Sequence, residues 1–245
     1  MKRQESLILS IDTATPCSSV ALTEGTRKNG RVLASLSLSS KITHSRRLLA
    51  LIDFLMKETE VRWDSIEAVA VSLGPGSFTG LRIGMATAKG LTFGADKPMI
   101  GVSTLDGLAS KCAPSPWICS VLDARKNEVY AAFYSTGADG LTVSDGVPMV
   151  ISPKKLAEHI TDPVVMVGDG VNVYGDVWKN ILEGRVLFAP AHLHQPSAAS
   201  LGFIGKEKLL SGQILTVEEA VPIYVRSSDA ELNLIKRVDR PVAKD

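Results

Sequence analysis

Two carboxylates in this chain each follow a short run of mostly apolar residues, at the point where a strand is predicted to end. They are Asp12 and Asp123. Beside the first, Thr13 and Thr15 could offer hydroxyls and backbone amides to a phosphate. Asp123 could act as a magnesium ligand or a general base, and the competing interpretation is a structural aspartate in a turn. These residue types allow phosphate chemistry without requiring it.

Histidine and cysteine, the usual ligands of transition metals, are few and poorly spaced. The histidines are His44, His159, His192 and His194, and none forms a pair at helical spacing. Because His192 and His194 stand close to prolines, we predict a surface loop for both. The cysteines, Cys17, Cys112 and Cys119, show no CxxC spacing and are predicted to be small buried residues in a reducing compartment. We therefore assign no catalytic residue and no metal ligand.

The most informative stretch is glycine-rich and follows a predicted buried strand. Ser77 or Thr79 can cap the helix that begins there. Gly80, Gly84 and Ala88 recur every four residues, so one helix face carries almost no side chain. Each glycine inside a helix costs about 1 kcal/mol relative to alanine, so the stripe indicates close approach by another backbone. That backbone belongs either to the chain's own sheet or to a partner, and periodicity alone does not choose.

Hydrophobic periodicity predicts two halves with a similar order of elements. The first half has predicted strands at 7–12, 18–23, 31–39, 68–73 and 98–102, and helices at 44–57 and in the glycine-rich segment. The second half has predicted strands at 118–122, 129–134, 147–151, 164–167 and 185–188, and helices at 153–160, 171–182 and 197–211. This order predicts two α/β lobes of related topology. We place the first lobe, with its partner-binding helices, at 1–106, the second at 107–228, and a flexible polar tail at 229–245.

Composition excludes several classes of protein. Lys and Arg number 27 against 26 for Asp and Glu among 245 residues, a net charge of +1. No strong field therefore draws this chain to RNA or to an acidic membrane. The first apolar run is too short for a signal peptide, and no run reaches membrane-spanning length. We expect a cytoplasmic globular protein that does not bind membranes, and any RNA would be held mainly by another subunit.

Two motifs carry a specific family resemblance. The segment 8–22, which contains Ile-Asp-Thr-Ala-Thr, resembles the first phosphate loop of the actin, hexokinase and Hsp70 superfamily. Together with Ser-Leu-Gly-Pro-Gly-Ser-Phe-Thr-Gly-Leu-Arg-Ile-Gly at 72–84, it makes the chain similar to the TsaB family, also called YeaZ, the bacterial paralogue of TsaD. Shorter matches lie at 121–125, 167–170 and 222–226.

The resemblance implies a two-lobed actin/hexokinase/Hsp70-like (ASKHA) α/β fold, with a mixed sheet and helices in each lobe. It also implies a role in placing threonylcarbamoyl on the adenosine beside the anticodon of tRNAs that read codons beginning with A. The implied partners are a TsaD-type paralogue, a TsaE-type ATPase, and tRNA only through the complex. In that family a helix pair from each partner forms a four-helix interface. Here the implied interface residues are His44, Leu48, Gly80, Leu81, Arg82, Gly84, Met85 and Ala88. A homodimer in isolation is also expected, because an exposed helix with small residues could pair with itself.

The chain departs from the catalytic paralogue at two places. Where that paralogue carries two histidines four apart on a helix, this chain has Thr104 and Leu108, which are a poor metal ligand and a non-ligand. The position of the second phosphate loop, 123–127, contains no glycine, so its side chains would obstruct a phosphate. Asp169, between two glycines, fits a nucleotide-site edge or a tight turn equally well.

The leading hypothesis is therefore a non-catalytic partner subunit without a required cofactor. It predicts that Gly84→Trp abolishes partner binding while the monomer stays folded. The alternative is a weak ATPase of this superfamily acting on its own. It would bind ATP or ADP with Mg²⁺ near Asp12, Thr13, Thr15 and Asp123, or at a subunit boundary. A metalloprotease, an old label for relatives of the family, is disfavoured by the missing histidine pair.

Overall fold

The computed structural model describes residues 6–39, 43–216 and 218–225. Within these ranges the chain forms two mixed sheets with helices packed on them. The helices are α1 (His44–Glu58), α2 (Phe78–Ala95), α3 (Thr104–Ala109), α4 (Pro153–Glu158), α5 (Gly170–Leu182) and α6 (Ala198–Leu210). None of these helices is long and apolar enough to cross a membrane.

The first sheet contains five strands. They are β1 (Leu7–Asp12), β2 (Cys17–Glu24), β3 (Arg31–Ser39), β4 (Ile66–Gly74) and β5 (Met99–Ser103). Their spatial order is β3-β2-β1-β4-β5, with β1, β2 and β3 antiparallel and β4 and β5 parallel to β1. The order places the carboxyl ends of β1, β4 and β5 at one edge, where ligands of α/β sheets usually bind.

Alternate residues of β1 bury side chains on both faces of this sheet. Leu9 and Ile11 pack in the core with Leu48 of α1 and Met85 of α2. Ile8, on the other face, packs in a core with residues of α6. Helix α6 therefore covers the first sheet, although it follows the second sheet in the chain.

The second sheet repeats the order of the first. Its strands are β6 (Ile118–Asp123), β7 (Val129–Thr136), β8 (Thr142–Ser144), β9 (Met149–Ile151), β10 (Val164–Val167) and β11 (Val186–Phe188). The order β11-β10-β6-β7-β8 again puts the first strand in the centre, with an antiparallel meander on one side and parallel strands on the other. The predicted repeat of two α/β lobes is confirmed.

Two contacts at one end of the β2–β3 connection join the lobes. The guanidinium of Arg27 lies 2.8 Å from the Glu207 carboxylate of α6 and donates to the Thr142 carbonyl of β8 at 3.0 Å. Lys28 pairs with Asp139 at 3.1 Å. The second sheet is thus tied to the first by charged side chains as well as by the chain itself.

Most predicted elements are confirmed within a few residues, and the structure differs from the prediction at two places. The predicted strand 147–151 is not the third strand of the sheet order. That place belongs to β8, and β9 pairs with β7 beside it. No helix was predicted between 103 and 116, where the structure has α3, whose first turn is capped by the Ser103 hydroxyl. The predicted tail 229–245 lies outside the described residues, and the lobe limits at 106 and 228 stay predictions.

Candidate functional site

A cleft of about 790 Å³ lies between the two lobes. The first lobe lines it with the loop after β1 and the start of α2, and the second lobe lines it with the end of β6 and the following hairpin. Among the residues predicted for a phosphate site, Thr15 and Asp123 line this cleft, whereas Asp12 and Thr13 do not. The structure therefore separates the four candidates into two pairs.

Asp12 is enclosed at the end of β1, with a relative exposure of 1%. Its Oδ1 accepts a hydrogen bond from the Ala14 amide at 2.9 Å, and its Oδ2 has no hydrogen-bond partner among the described residues. Burial raises its pKa to about 6, although the Ala14 hydrogen bond and the charge of Lys111 oppose the change. The Asp12 carboxylate is therefore enclosed by the protein and does not line the cleft.

Thr13 contacts the glycine-rich helix. Its hydroxyl donates to the Gly80 carbonyl at 2.7 Å. A Cβ atom on Gly80 would lie 2.1 Å from the Thr13 carbonyl oxygen, and one on Gly84 would lie 2.3 Å from the Thr13 hydroxyl. The small-residue stripe thus exists to admit the chain's own loop, which decides the question that periodicity left open.

The same packing corrects most of the predicted partner interface. Leu48 and Leu81 are each 1% exposed, Met85 is 4% exposed, and Gly80, Gly84 and Ala88 are also buried. These side chains hold α1 and α2 on their own sheet and cannot contact a partner in this conformation. Gly84→Trp would disrupt the fold and does not test partner binding.

His44, a further predicted interface residue, points toward β2. Its Nδ1 forms a 2.6 Å hydrogen bond with the Ser18 hydroxyl. Arg47 donates to the same hydroxyl at 2.7 Å and to the Pro16 carbonyl at 2.8 Å. Burial, and then the charge of Arg47, lower the pKa of His44. The first turn of α1 is therefore bonded to the loop that lines the cleft.

Arg82, predicted near the rim of the partner interface, lies at the mouth of the cleft. Its guanidinium carbon sits 3.9 Å from the Phe78 ring centroid, and its Nε donates to the Tyr224 hydroxyl at 2.9 Å. The two rings lie 4.8 Å apart between centroids, tilted by 30°. Phe78 is 38% exposed and Tyr224 is 41% exposed. The three side chains form an aromatic and cationic shelf, which we call the Phe78–Arg82–Tyr224 platform.

The opposite wall is formed by the second lobe. Asp123 Oδ1 accepts hydrogen bonds from the Arg125 amide at 2.9 Å and from the Tyr174 hydroxyl at 3.3 Å. The Asp123 amide donates to Asp169 at 3.0 Å. Burial raises the pKa of Asp169, and the charge of Asp123 adds to the effect. These bonds are those of the structural turn aspartate, the second of the two interpretations of Asp123.

The hairpin after β6 presents cations to the cleft from a backbone that glycine would favour. Arg125, Lys126 and Asn127 have φ values of 63°, 55° and 59°. A run of non-glycine residues in the left-handed region is uncommon and costs free energy at each position. The absence of glycine from this loop therefore does not prevent a left-handed turn, but places exposed Arg125 and Lys126 at the cleft.

The positions that lack the histidine pair are deeply buried. Thr104 and Leu108 both have 0% exposure. No group of three or more histidine, cysteine, aspartate and glutamate residues in the described ranges is placed to hold a metal ion. His194, predicted in a surface loop, is 4% exposed and accepts a hydrogen bond from the Gly168 amide at 3.3 Å. That prediction was wrong for His194, because the loop folds back under β10, whereas His192 is exposed.

Sequence reasoning missed a second small-residue stripe on α2. Ala86, Gly90 and Gly94 also recur every four residues and are exposed. A Cβ on Gly90 or Gly94 would meet no atom within 4 Å. Because the two stripes are offset by two residues, about 200° around a helix, they lie on opposite faces. The four-residue spacing was visible in the sequence, but the open space beside Gly90 and Gly94 was not.

The repeated strand order and the interlobe cleft define the class of protein, a two-lobed α/β protein with a mixed sheet and helices in each lobe. A family model described as "TsaD: tRNA N6-adenosine threonylcarbamoyltransferase" matches residues 31–234. The "tRNA threonylcarbamoyladenosine biosynthesis protein TsaB" of Escherichia coli K12 is 33% identical over 229 residues, covering 91% of this chain and 96% of the relative. The chain belongs to the TsaB family.

Other relatives agree in sequence and in structure. The protein of the same name from Bacillus subtilis 168 is 28% identical, over 94% of this chain and 98% of the relative. The solved structure titled "YeaZ from Pseudomonas aeruginosa" aligns with a TM-score of 0.72 and 27% identity, over 89% of this chain and 99% of that one. A second structure, described as similar to peptidase YeaZ from the same organism, gives a TM-score of 0.75 at 29% identity, over 90% and 100% of the two chains.

Proposed function

We propose that this chain is a non-catalytic subunit that binds and activates a TsaD-type transferase for threonylcarbamoyl modification of tRNA. The observation that carries the proposal is a set of exposed apolar and small residues on the packed helices α1 and α2, which we call the α1–α2 face. It consists of Leu49, Phe54, Ala86, Gly90, Phe93 and Gly94. Leu49 is 58% exposed, Phe54 is 53% exposed and Phe93 is 91% exposed. Large apolar side chains in one region of a surface are typical of a protein interface.

The shape of this face suits a partner helix. Gly90 and Gly94 leave open space along α2, so a second helix could approach its backbone closely. A groove of about 530 Å³ begins beside Leu49 and is also lined by Leu91 of α2 and Trp63. Asp53 and Lys57, which pair at 2.8 Å, supply a charged border. A small central stripe, apolar anchors and a charged edge are the parts of a specific helix-packing surface.

Connection of this face to the cleft supports an activating or stabilising role. α1 carries Leu49 and Phe54 outward and His44 and Arg47 inward, where they bind the loop of the first lobe. A partner that fixes α1 would also fix that loop. We further propose that the complex recruits a TsaE-type ATPase, that it acts in the cytoplasm, and that the α1–α2 face pairs with itself when no partner is present.

The test is transfer of labelled threonylcarbamoyl from its adenylate to tRNA. It compares this chain alone, its TsaD-type paralogue alone, and the mixture. We expect activity only in the mixture. Gly90→Trp should remove both binding and activity, because an indole in the open space blocks a partner helix without a clash inside the monomer. Val173→Trp, at an exposed helical position of the second lobe, is the matched control and should leave both unchanged.

Two results would contradict the proposal. Transfer by this chain alone would make it a catalyst. Full activity of the Gly90→Trp mixture, with unchanged thermal unfolding of the variant, would move the interface elsewhere. Gel filtration of the isolated variant tests the homodimer, which should become a monomer.

A weak ATPase remains the second candidate, supported by the position of Thr15 and Asp123 in the cleft. The residues present do not fit a phosphate clamp in this conformation, because Asp12 and Thr13 do not line the cleft and the Thr13 hydroxyl is bonded to the Gly80 carbonyl. The candidate predicts magnesium-dependent ATP turnover that disappears in Asp123→Asn, a variant that keeps an acceptor for the Arg125 amide. Equal turnover in wild type and variant would dismiss it and would favour a subunit without a required cofactor.

A further inference from the structure

The mouth of the interlobe cleft combines three features that the partner role does not use. They are the Phe78–Arg82–Tyr224 platform on the first lobe, the Arg125–Lys126 hairpin on the second, and two carboxylates on the floor, Asp123 and Asp169. The α1–α2 face lies elsewhere on the first lobe, since Leu49 and Leu91 line a different groove. The cleft is therefore available for a function of its own.

The platform has the geometry of a stacking surface. Its two rings are 38% and 41% exposed, and the guanidinium carbon of Arg82 lies 3.9 Å from the centroid of the Phe78 ring. Aromatic rings and guanidinium planes are the groups on which proteins stack unpaired bases, and such stacking tolerates any base. A base stacked on the exposed parts of these rings would remove further apolar surface from water, which favours binding.

The charged side chains of the cleft indicate where the sugar and phosphates of such a ligand would lie. Phosphates would be repelled by Asp123 and Asp169, which instead can accept hydrogen bonds from ribose hydroxyls or exocyclic amines. The exposed Arg125 and Lys126 lie on the same wall at the hairpin tip, and Arg125 is held only loosely by Asp123, at 3.8 Å with 79% of its side chain exposed. A phosphate beside the base would therefore lie toward the hairpin and away from the floor.

The inner end of the cleft is closed, so a ligand cannot place its phosphates there. The loop after β1 is closed by the Thr13–Gly80 hydrogen bond, and Ala14 accepts from the Ser77 amide at 2.7 Å. A base with its phosphates must then sit at the mouth, where a continuous strand can enter and leave. A strand needs such an open path, whereas a free mononucleotide does not.

We propose that the cleft mouth binds single-stranded RNA, with one unstacked base on the Phe78–Arg82–Tyr224 platform and adjacent phosphates at Arg125 and Lys126. The inference rests on the proposed function for the identity of the RNA, a tRNA loop presented within the complex. It goes beyond that function because this chain contacts the RNA directly.

The test uses the full chain and a fluorescein-labelled RNA hairpin with an unpaired loop, measured by fluorescence anisotropy. A blunt RNA duplex of the same length and AMP are the competitors. We expect the hairpin to bind at least tenfold more tightly than the duplex, and AMP to compete weakly. Phe78→Leu, which keeps an apolar side chain against Tyr224, should lower hairpin affinity by about tenfold. Arg125→Asn, which tolerates the left-handed backbone, should weaken binding and reduce the slope of log K against log salt by about 0.7.

Matched controls keep the test specific. Phe93→Leu makes the same change on the same helix but on the α1–α2 face, and Lys179→Gln removes an exposed cation from α5. Both should bind RNA within twofold of wild type. If Phe78→Leu fails to fold, Tyr224→Leu tests the other ring with the same expected loss.

The proposal is overturned if hairpin and duplex bind equally, if Phe78→Leu and Tyr224→Leu fold and bind normally, or if AMP displaces the hairpin at similar concentration, which would assign the site to a mononucleotide. Because these assays contain no TsaD-type protein, a failed partner interaction leaves their result intact. Conversely, Gly90→Trp should lose partner binding and keep RNA binding, so the two proposals fail separately.

Discussion

The two lobes place an aspartate at the same point of the same strand order and give it different surroundings. Asp12 ends β1 and Asp123 ends β6, and each accepts a 2.9 Å hydrogen bond from the amide two residues later. Asp12 is then covered by the loop that Gly80 and Gly84 admit, whereas Asp123 lines the cleft beside Arg125. A repeated backbone motif therefore does not carry a repeated function. In the first lobe, Gly80 and Gly84 let α2 pack directly on the loop after β1 at Thr13.

The largest expected effect concerns that approach in the first lobe. Gly80→Ala places a Cβ 2.1 Å from the Thr13 carbonyl oxygen, a backbone atom that cannot move without shifting β1. We expect a loss of about 3 kcal/mol in the free energy of unfolding, measured by urea denaturation. The second lobe offers the parallel change, Gly168→Ala, where φ is +125° and the Val121 carbonyl oxygen lies 1.9 Å from the added atom.

The control for this prediction lies on the same helix. Gly90→Ala meets no atom within 4 Å, and the better helix propensity of alanine should raise stability by about 0.5–1 kcal/mol. If Gly80→Ala and Gly90→Ala gave similar stabilities, the close packing of loop and helix described above would be wrong.

The second prediction tests the difference between the two aspartates through pH. Because the folded-state pKa of Asp12 is raised from 3.8 to about 6, the folded protein binds more protons than the unfolded chain between these values. Stability contributed by the protonated group is therefore full below about pH 4 and is lost as pH rises through 6. Asp12→Asn should stabilise the protein by up to about 3 kcal/mol at pH 7.5, and the gain should shrink as the pH falls toward 4.

Asp123→Asn is the matched variant in the second lobe. Its charge is paired with a largely exposed arginine, so we expect a change within about 0.5 kcal/mol. Urea denaturation of both variants at pH 7.5 and pH 4.5 makes the comparison. A gain for Asp12→Asn that does not vary with pH would contradict a buried, shifted carboxylate.

The third prediction concerns the coupling of the lobes. Arg27→Ala removes the side-chain contacts with Glu207 and the Thr142 carbonyl. Both charged groups are less than a third exposed, and hydrogen bonds to charged groups contribute about 1.5–3 kcal/mol. We expect a loss of stability toward the lower end of that range. Hydrogen exchange should become faster in the variant than in the wild type, and more so in β8 than in β1. Equal exchange rates in wild type and variant would mean that the contact does not join the lobes.

The smallest effect is expected for the neighbouring residue. Lys28→Ala removes an ion pair whose side chains are 56% and 46% exposed. Exposed pairs of this kind contribute little to stability and are screened by salt, so we expect a smaller loss than for Arg27→Ala. A change larger than that of Arg27→Ala would reverse our ranking of the two interlobe contacts.

Much of the fold could be predicted because it follows from local patterns. The apolar run of β1 and the one-sided apolar pattern of α1 show how each element must be buried, and this does not depend on which element it packs against. Strand β8 of the second sheet was not predicted, because it is short and mostly exposed and so leaves little hydrophobic signal in the sequence. Helix α3 was missed because its apolar residues are buried on several sides and show no one-sided period.

The candidate site was less predictable. Thr13 and Thr15 are near neighbours of the same type, yet one contacts α2 and the other lines the cleft. The platform joins Phe78 and Arg82 to Tyr224, more than a hundred residues away, and no local pattern connects them.

By itself the sequence determined the alternation of strands and helices, the repeat of two lobes and the family, because these depend on periodicity and on motifs of adjacent residues. Only the tertiary structure decided which small stripe of α2 faces inward and which aspartate meets the cleft. The periodicity of a helix shows which residues share a face, but not what packs against that face. Gly84 and Gly90 are equivalent in a periodic pattern until the folded chain brings Thr13 against the one and leaves the other open.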